Sequence, residues 1–120
     1  MKTCKLLREQ VAAATGSKKA ELVLKNAQIV NVFTQSVETG DIAIEGGYIV
    51  GIGNYEGITE KDLGGAYVCP GFLDGHIHIE SSMTSPGEFE RAVVPHGTIA
   101  VITDPHEIAN VAGTAGIRFM

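Results

Sequence analysis

Basic side chains are scarce and scattered: nine Lys and Arg stand against fourteen Asp and Glu, a formal charge of −5. The longest basic run is Lys18-Lys19, far short of the cationic footprint that a nucleic-acid backbone requires. No nucleic-acid partner is expected. Long apolar runs are missing as well. No stretch nears the ~20 residues of a membrane span, and Leu6-Leu7 is broken at once by Arg8-Glu9-Gln10, which leaves no signal-peptide core. The expectation is a protein that neither crosses nor is targeted to a membrane. Cysteine is nearly absent, and Cys4 and Cys69 lack the spacing of a disulfide framework. A reduced, cytoplasmic setting is therefore expected. With 120 residues, the chain is long enough for one small domain.

The hydrophobic pattern changes twice along the chain. From Leu6 to Ala14, Leu6, Leu7, Val11 and Ala14 can share one helical face, and Gly16-Ser17 ends the pattern. The alternatives are a short packed helix or a loose arm. Beyond Glu21, Leu22-Val23-Leu24 and Ile29-Val30-Asn31-Val32 read as two short strands separated at Asn26-Ala27. Asp41–Glu45 and Tyr48–Ile52 flank Gly46-Gly47, and two residues that tolerate positive φ predict a tight hairpin. Gly51-Ile52-Gly53 lacks a third glycine at position 56, which is Glu56, so it does not form a dinucleotide-binding loop. In the second half, Ser85-Pro86-Gly87-Glu88 has the grammar of a helix start, and Pro95 and Gly97 close that helix near Val94. Thr98–Thr103 is a nearly continuous apolar run, which predicts a strand buried on both faces. Strand, helix and strand with short links make a βαβ unit.

His76-Ile77-His78 closes the apolar run that begins at Val68. On a strand the two imidazoles leave the same face, about 7 Å apart at Cα, close enough to lean onto one metal ion. Asp104-Pro105-His106-Glu107 ends the following strand. In (β/α)8 enzymes the reacting groups sit at the C-terminal ends of strands, so two segments rich in metal-capable side chains arrive at one mouth. Asp74 shares the parity of the histidines, and either orients an imidazole or caps a backbone turn. Glu107 either serves at a metal or in proton transfer, or simply begins a helix. His96 is expected at an exposed helix end, with no catalytic role.

Pro70-Gly71-Phe72-Leu73-Asp74-Gly75-His76-Ile77-His78 resembles the first barrel strand of the amidohydrolase superfamily, metal-dependent hydrolases built on a (β/α)8 barrel. His78-Ile79-Glu80-Ser81-Ser82-Met83 and Thr103–Val111 are similar to the branch of that superfamily that deaminates adenine. The resemblance implies an α/β fold: the start of the barrel, preceded by part of a small β-sandwich-like lobe. It divides the chain into a helical arm at 1–19, the partial lobe at 20–68 and the first βαβ unit at 69–120. A whole barrel needs ~200 residues or more, so the chain is expected to be an N-terminal piece, inactive alone.

The resemblance also implies a divalent-metal centre, a two-metal site holding Mn or Fe with Zn possible, in which His76 and His78 are metal ligands. Glu107 and His106 are then the catalytic candidates, with Asp74 and Asp104 supporting the ligands. Glu80, Ser81 and Ser82 are placed to read the edge of a purine substrate, although Ser81 or Ser82 can equally cap a turn. The implied reaction is hydrolysis of adenine to hypoxanthine and ammonia by a homo-oligomeric parent protein. Two other readings remain open: an amidohydrolase acting on cyclic amides or N-acetyl sugars, and a non-catalytic truncation product or assembly module.

Overall fold

The computed structural model describes residues 3–120, which form two compact units, one ending at Cys69 and one running from Pro70 to Met120.

The first unit opens with helix α1 (Cys4–Ala14), whose N-cap Thr3 accepts a hydrogen bond from the Leu6 N–H through its side chain. Strands β1 (Ala20–Asn31), β2 (Ser36–Glu45), β3 (Tyr48–Gly53), β4 (Gly57–Asp62) and β5 (Tyr67–Val68) then build one mixed sheet. Its order is β3-β2-β1-β4, with β5 also lying beside β1. Strand β2 is antiparallel to β1 and β3, whereas β4 and β5 run parallel to β1. The Gly46-Gly47 hairpin forms as expected, with φ of 58° and 77°. The two short strands expected around Asn26 are instead one strand with a bulge. Asn26 adopts φ 57°, the register with β2 shifts between Leu24 and Ala27, and pairing passes from β4 to β5 at this point. The Asn26 carbonyl accepts from Gly65 N–H and its side-chain amide donates to Asp62, so a bent strand satisfies its backbone without breaking.

Helix α1 packs against the sheet, with Ala13 touching a cluster of Ala20, Val23 and Ala43. The buried face is not the expected one. Gln10 and Ala13 are buried, whereas Leu7 and Val11 are more than half exposed. The Gln10 amide donates to the Glu45 carbonyl at 3.2 Å, and this bond selects the face that carries it. Adjacent strand residues point to opposite sides, so Leu24, Ala27, Ile29 and Ile42 form a second cluster on the other face. Gly51 lies beneath the Tyr55 ring, which occupies the space a side chain there would need. The Tyr55 hydroxyl donates to the Ala14 carbonyl at 3.1 Å, tying the end of α1 to the sheet.

Two buried carboxylates complete this unit. Glu45 accepts from Lys18 Nζ (2.7 Å) and Glu21 N–H (2.9 Å). Asp41 accepts from Lys25 Nζ, Asn26 N–H and Tyr55 N–H. The Lys18 hydrogen bond holds Glu45 below its ordinary carboxylate range. Burial pushes Asp41 upward, but the bonds from Lys25, Asn26 and Tyr55 outweigh it and leave it lowered.

The second unit contains β6 (Phe72–Ile77), a 3-10 turn (Ile79–Ser82), α2 (Pro86–Val93), a second 3-10 turn (Val94–His96), β7 (Thr98–Thr103) and α3 (His106–Phe119). Ser85 caps α2 by accepting from the Glu88 N–H, and Gly97 at φ 96° turns the chain into β7. Strands β6 and β7 pair in parallel, from Phe72↔Thr98 to Ile77↔Thr103, which is the strand–helix–strand start of a (β/α)8 barrel. The backbone of α3 bends at Gly113, where φ is 58° and ψ −144°.

Strand β7 departs from expectation. Ile99 and Ile102 are 66% and 69% exposed, although their run has the composition of a strand covered on both faces. Among the described residues, β6 is its one pairing strand. Among the described residues, no helix is long and apolar enough to cross a membrane.

Val23 is fully buried between α1 and the sheet. Val23→Ala removes two carbons and leaves a void, and is expected to cost about 2 kcal/mol, read as a lower urea midpoint by circular dichroism. A second expectation concerns acid. Asp41 and Glu45 titrate lower folded than unfolded, so the unfolded chain binds more protons and stability falls as pH drops. Their contribution is complete above about pH 5 and lost below it as the lowered folded-state values are crossed. Asp41→Asn should flatten that acid limb in urea titrations at stepped pH.

Candidate metal centre

The parallel pairing of β6 and β7 sets both C-terminal ends at one end of the sheet. His76 lies within β6, and His78 directly follows it with extended backbone (φ −106°, ψ 96°). Asp104 follows β7, and its N–H donates to the Ile77 carbonyl at 2.9 Å. This bond extends the strand pairing one step into the site.

Asp104 is the hub. Its Oδ2 lies 3.5 Å from His76 Nε2 and 3.2 Å from His106 Nδ1. Its backbone carbonyl is 2.7 Å from His78 Nδ1. A carbonyl only accepts, so Nδ1 of His78 carries a proton in this bond, and whenever the ring is neutral its lone pair lies on Nε2. The ring centroids of His76 and His78 are 5.0 Å apart, and those of His78 and His106 are 4.7 Å apart, edge to face. The hydrogen bond with His106 is the largest influence on the Asp104 carboxyl, and the charges of His106, His78 and His76 act the same way. Together they lower its pKa despite opposition from partial desolvation.

Two overlapping donor sets result: His76, His78 and Asp104, and His78, His106 and Glu107. Within each set the ligand atoms lie within 4.8 Å of one another. Imidazole and carboxylate donors at that spacing fit a divalent first-row ion. The donor atom available on His78 is set by the backbone, as in carboxylate- or carbonyl-oriented metal histidines.

The other expected residues have other occupations. The Asp74 carboxylate accepts from the His76 backbone N–H at 3.0 Å, the backbone-turn alternative. Ser82 donates to the Ile79 carbonyl at 2.6 Å and lies 2.8 Å from Thr84 Oγ1, a turn-closing arrangement. Ser81 donates to Glu107 Oε1 at 2.8 Å. Glu107 sits in the first turn of α3, so its helix-start position and its place beside the histidines coexist. Glu80 Oε1 accepts from the N–H groups of Glu107 and Ile108 at 3.1 and 3.3 Å. Burial pushes the Glu80 carboxyl up, but backbone N–H groups of Glu80, Ile108 and Glu107 and the charge of His78 leave it lowered. Sequence reasoning missed this contact and the central place of Asp104. Its one signal was an acidic residue at a strand end beside two histidines.

Residues 67–120 match the amidohydrolase family. Over 116 residues the chain is 61% identical to adenine deaminase 2 of Carboxydothermus hydrogenoformans, covering 97% of this chain and 20% of that protein. It is 60% identical over 114 residues to an adenine deaminase of Geobacillus kaustophilus, covering 95% of this chain and 20% of that protein. The chain thus spans about a fifth of the length of these relatives. An L-hydantoinase (dihydropyrimidinase) from Arthrobacter aurescens superposes with a TM-score of 0.56 at 21% identity, over 72% of this chain and 21% of that one. That likeness shows a shared fold.

If Asp104 is the anionic member of the donor set, Asp104→Asn should weaken Zn(II) or Mn(II) binding on the order of 10–100-fold by calorimetric titration. Equal affinity would remove Asp104 from the site.

Proposed function

We propose a role in the hydrolytic deamination of adenine for this chain, which belongs to the amidohydrolase superfamily. The observation that carries the reading is the convergence of His76, His78 and Asp104 at the end of one parallel strand pair, with His106 and Glu107 beside them. The choice of adenine is supported by the names of relatives with about 60% identity across nearly the whole chain.

The residues divide the work. His76, His78 and Asp104 would hold a divalent ion, Mn, Fe or Zn, in a centre completed by ligands outside these 120 residues. When bound, such an ion supplies Lewis acidity that makes water nucleophilic near neutral pH. The Asp104 carbonyl keeps His78 in the tautomer that presents Nε2 outward. The Asp104 carboxylate faces both His76 and His106 and supplies negative charge for a cation. Glu107, oriented by the Ser81 hydroxyl, carries the proton from water to the departing amine. The reaction balances as adenine plus water giving hypoxanthine plus ammonia.

The test is a chimera in which residues 1–120 replace the matching fifth of the Geobacillus kaustophilus protein. It is expected to release ammonia from adenine, whereas the 120-residue chain alone releases none. Glu107→Gln in the chimera should cut turnover by ~10²-fold or more with a smaller effect on adenine affinity, the scale of losing an acid/base group. His76→Ala should remove bound metal and activity together. A chimera that keeps wild-type turnover with His76→Ala would sink the proposal.

A further inference from the structure

Helix α3 begins without a cap of its own. Pro105, at its N-cap position, makes no side-chain capping bond, because proline has no side-chain acceptor. The neighbouring Asp104 carboxylate is turned to His76 and His106. A helix start presents N–H groups with no intrahelical partner, and those of Glu107 and Ile108 bond to Glu80 Oε1, on the turn that follows β6. A side chain 27 residues away in sequence thus replaces the local cap. The carboxylate also suits the positive end of the helix.

The other oxygen, Oε2, is buried and has no hydrogen-bond partner among the described residues. One oxygen therefore serves two backbone N–H groups and the other is closed off from solvent. One residue on, Ser81 makes a second tie to the Glu107 carboxylate. Both ties join the loop after His78 to the turn that carries His106 and Glu107.

We infer that Glu80 is a positioning residue, whose carboxylate latches the start of α3 to the end of β6 and so sets His106 and Glu107 against His78. The inference rests on the metal-site reading above for its consequence in catalysis, and on geometry alone for the latch. In this role Glu80 acts through other side chains.

The experiment uses the 120-residue chain as wild type, Glu80→Gln and Glu80→Ala. In the metal-free chain, the first readouts are the nuclear Overhauser contact between the His78 and His106 rings and the exchange rates of the Glu107 and Ile108 amides. Glu80→Ala is expected to lose the ring contact and to speed both amides about tenfold, the scale of one lost hydrogen bond. The Asp104 amide, bonded to Ile77, should keep its protection. Glu80→Gln retains an acceptor oxygen and should resemble the wild type. Retained ring contact and amide protection in Glu80→Ala would overturn the latch.

The second readout, taken in the chimera that supplies the ligands outside residues 1–120, is the visible absorption of added Co(II), which reports ligand geometry. Glu80→Ala should change the spectrum and Glu80→Gln should restore it. Identical spectra for wild type and Glu80→Ala would overturn the positioning role and leave Glu80 a helix cap. Absence of a bound-Co(II) spectrum in the wild type counts against the metal reading instead, and the ring contact then decides the latch by itself.

Discussion

The parallel ladder between β6 and β7 is the constraint on which the candidate centre depends. Parallel strands end together, so residues that leave each strand are delivered to one place without any long loop having to fold back. The ladder continues past the strands through the Asp104 N–H to Ile77 carbonyl bond, and therefore fixes the backbone of the very residue on which the histidines converge. The register shifts between Asp74 and Ile77, and Asp74 takes up the His76 N–H at that shift. An irregularity of this kind re-aims side chains at a strand end. Here it brings two rings that begin two residues apart within 5.0 Å.

Backbone groups do much of the remaining work. The Asp104 carbonyl selects the His78 tautomer, and backbone N–H groups of Glu107 and Ile108 occupy Glu80. Such bonds cost little conformational entropy, because the backbone partner of each is already held, by the first turn of α3 or by the Asp104 N–H bond to Ile77. The side-chain donors that remain exposed, His76, Asp104, His106 and Glu107, are those a cation would order.

How much was legible in advance follows from the range of each interaction. The glycine hairpin, the Ser85 cap and the His76-Ile77-His78 spacing are local, and local chemistry can be read residue by residue. The bulge at Asn26 reads as a gap because a left-handed asparagine and a strand break look alike in sequence. The buried face of α1 escapes the hydrophobic pattern: Gln10 on that face reaches Glu45, 35 residues away, and a polar side chain carries no weight in such a pattern. Glu80 is singled out by the sequence, but its contacts are not legible there for the same reason: the partners are 27 and 28 positions on. Strand β7 was read by composition as covered on both sides, and composition reports what a strand is suited to, not what these 120 residues provide.

The approach of Tyr55 to Gly51 makes two positions share a single volume. The ring fills the space in which a side chain at 51 would start, and its hydroxyl is committed to the Ala14 carbonyl, so it cannot swing aside without giving up that bond. In a combinatorial library, positions 51 and 55 would behave as one locus: any larger residue at 51 survives only beside a smaller one at 55. The pair that survives would then have to find another way of fastening the end of α1.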